Sequence, residues 1–124
     1  MKKRLLIIED HDQFRTMVRD YLNRQNWNLE IFEASTGEMG MAKASCVKPD
    51  IVLMDISLPR MNGLEVAESI REEHPVCDII FLTLFDVSIF EKTAEKIKAK
   101  AFIGKHQVEE QLLPAIKRCL DVKK

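Results

Sequence analysis

The sequence predicts an α/β fold, (βα)5: one open, doubly wound parallel sheet of five short strands alternating with five amphipathic helices. Three observations predict it. Apolar runs of strand length recur at Leu5–Ile8, Leu29–Ala34, Ile51–Met54, Ile79–Leu82 and Ala101–Ile103. Segments with apolar residues at helical spacing separate them. Four of the runs stop abruptly at polar residues, namely Glu9-Asp10, Asp55, Thr83 and Lys105. Strands alternating with helices imply a parallel sheet covered on both faces. In such a sheet ligands bind at the carboxyl edge of the strands, so these four endings would share one rim.

The elements follow in order. After Leu5–Ile8, Phe14, Met17, Val18, Tyr21 and Leu22 recur at helical spacing, with Asp12 as the expected N-cap and Asn26 and Asn28 marking the end. Leu29–Ala34 is a strand with partial alternation. Thr36-Gly37-Glu38 opens a helix carrying Met39, Met41, Ala42 and Ala44, and Lys48-Pro49-Asp50 stops it before the fully apolar Ile51–Met54. Leu58 to Gly63 reads as a loop, with Asn62-Gly63 as the turn signal. Leu64, Val66, Ala67 and Ile70 stripe the next helix, which ends near His74-Pro75. Phe90, Ala94 and Ile97 set the face of the fourth helix. Val108, Leu112, Leu113, Ile116 and Leu120 stripe the fifth, where Pro114 predicts a start or a kink. Right-handed crossovers leave few topologies, and the common five-strand solution is the flavodoxin-like order 2-1-3-4-5.

With 124 residues, 46% hydrophobic and 31% charged, the chain fits one globular domain over 1–124. A net charge of -1 offers no global attraction to nucleic acid or membrane. The basic groups Lys2-Lys3-Arg4, Lys117-Arg118 and Lys123-Lys124 read as solvated termini. Three separated cysteines, Cys46, Cys77 and Cys119, form no CxxC pair, so neither zinc nor a disulfide framework is expected. No apolar run approaches a membrane span, and the four residues after Lys2-Lys3-Arg4 are too few for a signal peptide. A cytoplasmic location is the expectation.

Three carboxylates on one rim repel one another. At about 6 Å and an effective dielectric near 20, each pair costs roughly 3 kcal/mol. Protonation, the Lys105 ammonium or a divalent cation would offset that cost. Hard oxygen ligands suit Mg²⁺ or Mn²⁺. A carboxylate beside such a cation is a nucleophile toward phosphorus. Lys105 and Thr83 would neutralise and hydrogen-bond the incoming oxygens.

The segments Leu5-Leu6-Ile7-Ile8-Glu9-Asp10-His11, Asp50 to Asp55, Leu58-Pro59-Arg60-Met61-Asn62-Gly63, Phe81-Leu82-Thr83 and Phe102-Ile103-Gly104-Lys105 stand in the order and spacing of one family. The chain resembles a response regulator receiver domain of two-component signalling along essentially its whole length. The resemblance implies that Asp55 accepts a phosphoryl group from a sensor histidine kinase or phosphotransfer protein. It implies Mg²⁺ held by Asp10, Asp55 and the Ser57 backbone carbonyl, with Glu9 acting mainly through a metal-bound water. Thr83 and Phe102 would be the switch pair that remodels the surface of the fourth helix, fifth strand and fifth helix. Homodimerisation on phosphorylation is a further implication.

The chain departs from the family pattern in places. Glu9 stands where Asp is more usual, Phe102 where Tyr is frequent, and His106 where many members carry a cis proline. Phe85, two residues after Thr83, is bulky and apolar, and is expected to hinder an attacking water and slow dephosphorylation. The opening Glu-Asp-His followed by Phe14-Arg15 resembles receivers that precede a helix-turn-helix DNA-binding domain. Phosphate-independent signalling and a stand-alone receiver acting by protein contact are the alternatives; the intact Asp55, Thr83 and Lys105 argue against the first.

Other chemistries fit less well. A haloacid-dehalogenase-like phosphatase expects a second Asp where Ser57 stands, and a cap domain. A flavin module expects a Ser/Thr- and Gly-rich loop where Glu9-Asp10-His11-Asp12 lies, and no GxxxxGK occurs. His11, His74 and His106 read as surface or helix-end residues. The methionines read as core filler, and Trp27 as packed between the first helix and second strand.

Overall fold

The computed structural model describes residues 2–84 and 87–120, except for the side chains of Glu91 and Ala94. Its elements are β1 (Lys3–Ile8), α1 (Asp12–Asn23), β2 (Leu29–Ala34), α2 (Gly37–Val47), β3 (Ile51–Asp55), α3 (Gly63–Glu73), β4 (Asp78–Thr83), α4 (Glu91–Ile97), β5 (Ala101–Gly104) and α5 (Val108–Leu120). All neighbouring strands of the main sheet are parallel, in the order β2-β1-β3-β4-β5. The expected topology is therefore the observed one. The chain steps outward from β1 to β2 and then back across to β3, so the carboxyl ends of β1 and β3 flank the crevice where helices leave on opposite faces.

Alternation along the strands builds two cores. Leu5, Ile7, Ile51, Leu53, Ile80, Leu82 and Ile103 pack with Val18 and Leu22 of α1 and with Leu112, Ala115 and Ile116 of α5. Leu6, Ile8, Val52, Met54, Ile79 and Phe81 pack with Ala44 of α2 and with Val66, Ala67 and Ile70 of α3. All five residues of β3 are buried, as expected for a central strand covered twice. Trp27 joins the α1/α5 core.

Four local expectations change. His11, not Asp12, occupies the N-cap of α1, without a side-chain cap bond, and Asp12 pairs with Arg15 at 2.8 Å. Asp12 thus puts its charge inside the first turn, where it favours the helix dipole. The turn before α3 falls at Pro59-Arg60 rather than at Asn-Gly. Ser57–Leu58 pairs antiparallel with Met61–Asn62, and Arg60 takes the left-handed conformation (φ 62°). Asn62 instead caps α3, its Oδ1 accepting from the Leu64 N–H at 2.8 Å. Pro114 does not start α5, which begins at Val108 and runs through it. Pro114 and Glu110 are both exposed, so the carbonyl that the missing N–H leaves unpaired can turn to water. Met17 and Met39 are exposed large hydrophobics, not core filler, because each lies on the outer side of its helix.

Other expectations hold at the level of detail. Thr36 caps α2 through a 3.0 Å bond to the Met39 N–H. The segment before α4 is a 3-10 turn, Val87–Phe90, and Phe90 and Ile97 pack on the α3-side core. The Ala94 side chain lies outside the described residues, as do Phe85, Lys123 and Lys124. No described helix is long and apolar enough to cross a membrane. Cys77 and Cys119 are buried free thiols, and burial pushes both up to about 12, so they act as small apolar side chains.

Candidate functional site

The rim at the carboxyl ends of β1, β3 and β5 assembles the residues that the apolar runs left behind. Glu9 extends the ladder beyond β1, its N–H donating to the Ala34 carbonyl at 3.0 Å. Asp55 is the last residue of β3. Both are withdrawn from water, at 0% and 3% exposure. Asp10 is exposed beside them, and one carboxylate oxygen from each of Glu9, Asp10 and Asp55 lies within 4.8 Å of the others. Lys105 reaches in from just beyond β5. Its Nζ donates to Glu9 Oε2 at 3.0 Å and stands 3.5 Å from Asp55 Oδ2. His11 and Leu84 complete the walls of the cleft.

The backbone holds the acids in place. The His11 N–H donates to Glu9 Oε2 at 3.1 Å, and the Ser57 N–H donates to Asp55 Oδ1 at 3.1 Å. Burial raises the Glu9 pKa, and the Asp55 charge raises it further, while Lys105 and the His11 N–H oppose them. Burial likewise raises Asp55, against Lys105 and the Ser57 N–H. One ammonium therefore does not compensate the cluster. Glu9 Oε1 is buried with no hydrogen-bond partner in the structure. An orphaned buried oxygen within a set of converging carboxylates fits a small, hard divalent cation.

Two consequences are measurable. A carboxyl whose pKa is raised on folding adds stability below its ordinary range, and that stability is lost as pH rises through the shifted value. The cation-free protein is therefore expected to gain stability from Glu9 and Asp55 as pH falls from neutral. A divalent cation would reverse this balance at neutral pH, by about 2.7 kcal/mol at a hundredfold excess over Kd. Thermal melts with Mg²⁺ and with EDTA across this pH range should show the increment fading on acidification. An identical melting temperature in both at neutral pH would rule the site out.

Thr83, 1% exposed, ends β4 and lies opposite Gly104 in the β4–β5 register. Phe102 lies opposite Phe81, one alternation step back on the same strand face as Thr83. Its ring stacks on Phe81 (4.8 Å between centroids) and on Phe90 (5.4 Å). The ring is thus already packed inward over the α3-side core. Phe85 lies outside the described residues. Three further residues contribute that sequence reasoning did not assign to the site. Gly63 packs directly on the Asp55 carbonyl, Phe14 lies under the Lys105 ammonium, and Arg15 donates to the Glu9 carbonyl at 2.7 Å. Phe14 was legible as part of the α1 apolar stripe and of the Phe14-Arg15 resemblance, and Gly63 as a turn signal within the Leu58 to Gly63 segment, but neither carried a role at the rim.

The model of the response regulator receiver domain family matches residues 5–117 of the chain. The chain belongs to that family. Response regulator receiver domains are signalling modules of two-component systems rather than conventional enzymes. Among curated relatives, the nitrate/nitrite response regulator protein NarL of Escherichia coli (strain K12) is 35% identical over 115 residues, covering 90% of this chain and 52% of the relative. The chain spans about half the length of that relative. Among solved structures, a DNA-binding response regulator of the LuxR family from Staphylococcus aureus superposes with a TM-score of 0.82 at 27% identity, covering 94% of this chain and 98% of that one. A CheY-like receiver domain protein from Methanospirillum hungatei JF-1 gives 0.85 at 29%, covering 98% of this chain and 95% of that one. The receiver fold observed here is thus shared with both, and the similarity extends to transcriptional regulators.

Proposed function

We propose that residues 1–124 act as one receiver domain, with Asp55 accepting a phosphoryl group from the phosphohistidine of a sensor histidine kinase or phosphotransfer protein. The observation that carries the reading is the position of Lys105, whose ammonium touches both Glu9 and Asp55 at the carboxyl rim. It stands where a phosphoryl group on Asp55 would place its oxygens. Asp55 would attack phosphorus through a carboxylate oxygen. The P–O bond forms as the P–N bond breaks, and its electron pair returns to the leaving imidazole. Lys105 would transfer its charge from the carboxylates to a phosphoryl oxygen, and the Thr83 hydroxyl would donate to another.

Glu9, Asp10, Asp55 and the Ser57 carbonyl would hold Mg²⁺, with Mn²⁺ as a substitute; the cation neutralises charge on the transferred group. The aspartyl phosphate adds about two charges and three acceptors at the end of β3. Thr83 and Phe102 would relay that change to the α4–β5–α5 surface. From there the domain controls an output, through pairing of two copies or contact with a target. The similarity to NarL and to a LuxR-family regulator supports transcription as that output, through a domain outside these residues. The reading assigns this domain no nucleic-acid or membrane contact and places it in the cytoplasm.

Intact-mass measurement after incubation with Mg²⁺ and acetyl phosphate tests the chemistry. One phosphoryl group is expected on wild type, none on Asp55→Asn, and none in EDTA. Equal modification of Asp55→Asn would name a different acceptor.

A further inference from the structure

We propose that Phe14 is a positioning residue for Lys105, an aromatic platform that keeps the ammonium at the carboxylate rim. The inference rests on the phosphoacceptor reading above and adds to it a residue that acts through Lys105 and is not itself placed against phosphate or metal ion. Lys105 Nζ lies 4.9 Å from the centroid of the Phe14 ring and also contacts the Glu9 and Asp55 carboxylates. The lysine is 12% exposed, so the ring faces a partly desolvated charge. In that setting a cation over an aromatic face is held more strongly than at an open surface.

The lysine stem has four rotatable carbons and much rotamer freedom to lose. An aromatic face restrains it without imposing a direction. The ammonium can therefore slide from Glu9 toward a phosphoryl oxygen while keeping its contact with the ring. A polar partner in the same place would tie it to one geometry. The first turn of α1 is itself fixed relative to the acids. Arg15, next in the chain, donates to the Glu9 carbonyl at 2.7 Å and pairs with Glu33 of β2 at 3.0 Å. The ring's position thus follows that of the acid pair. The competing reading is that Phe14 only fills the α1/α5 core, against which it packs.

Phe14→Leu and Phe14→Tyr separate the two. Leucine keeps apolar packing but removes the ring face; tyrosine keeps the face. The phosphorylation rate from acetyl phosphate with Mg²⁺ is expected to fall about fivefold in Phe14→Leu and to stay near wild type in Phe14→Tyr. Melting temperatures should remain close among the three. A wild-type rate in Phe14→Leu, or equal losses in both variants, would overturn the proposal. Proton NMR of wild type supplies a readout independent of phosphorylation and of how the variants fold. The Lys105 ε-methylene protons should lie upfield of those of other lysines, through the ring current of Phe14. Their appearance at the ordinary lysine position would overturn the placement. An upfield shift in a wild type that takes no phosphate would support the placement and remove the phosphoacceptor reading instead.

Discussion

Lys105→Met is expected to destabilise the protein by about 3 kcal/mol at neutral pH without added cation, and to regain much of that loss on acidification. Removing one partner of a buried ion pair leaves the other charge uncompensated, which typically costs about 3–5 kcal/mol. Here the abandoned partner is Glu9, at 0% exposure, with Asp55 beside it. Lys105 is the main group lowering both carboxyl pKa values against burial. Without it, both rise further above their ordinary range. Stability carried by a raised carboxyl is present at low pH and lost as pH rises through the shifted value, so the penalty belongs to the neutral side. Urea unfolding of wild type and variant at neutral and mildly acidic pH measures it. A penalty equal at both would assign Lys105 to packing over Phe14 rather than to charge.

Gly63→Ala should produce a loss of similar size by another route. A Cβ at this position would collide with the Asp55 carbonyl oxygen and lie 2.8 Å from the Ile56 Cα, both backbone atoms. No glycine here has positive φ, so the demand at Gly63 is for space and not for conformation. At Gly40, by contrast, the nearest atoms to an added Cβ belong to the Ile8 side chain, at 2.5 Å, and not to backbone. At Gly63 the backbone must move, and the Gly63 N–H bond to the Ile56 carbonyl at 2.8 Å moves with it. Overpacking of this kind costs about 3 kcal/mol at the upper end of its usual range. Displacing Asp55 should also slow its phosphorylation, on the order of 100-fold for a shift near 1 Å. Denaturant midpoints at constant m, together with the phosphorylation rate, test both. Retention of both would show that the 57–62 hairpin moves as a unit at little cost.

These two positions differ in how far the sequence announced them. Lys105 was legible because a charged residue directly after an apolar strand ending has few reasons to be there except the rim. Glu9, Asp10 and Asp55 were legible for the same reason. Gly63 was misread, because Asn-Gly is a general turn signal while the actual turn uses Pro59-Arg60. Asn62 then serves as a helix cap, a role open to Asn before an apolar stripe, and Gly63 as the point where α3 approaches β3, a non-local contact with no signature at that range. Of the two expectations at Pro114, the start is excluded because α5 begins at Val108, and a helix continues through a proline where the freed carbonyl can reach water. That is a property of the surface, not of the dipeptide.

The sequence by itself determined the alternation of strands and helices, the two-faced burial of the central strands and the polar groups that end them. Those features follow from periodicity and composition over a few residues, where local sterics and hydrophobicity act. The tertiary structure decided which strand ends become neighbours. Glu9 and Lys105 are 96 residues apart in the chain and 3.0 Å apart in space only because β1, β3, β4 and β5 lie in that order. It also decided that burial would outweigh the lysine in setting the carboxyl pKa values, and that a ring from the α1 stripe would lie under the ammonium. Desolvation and non-local contact depend on the packing of the whole sheet, so no window of local sequence contains them.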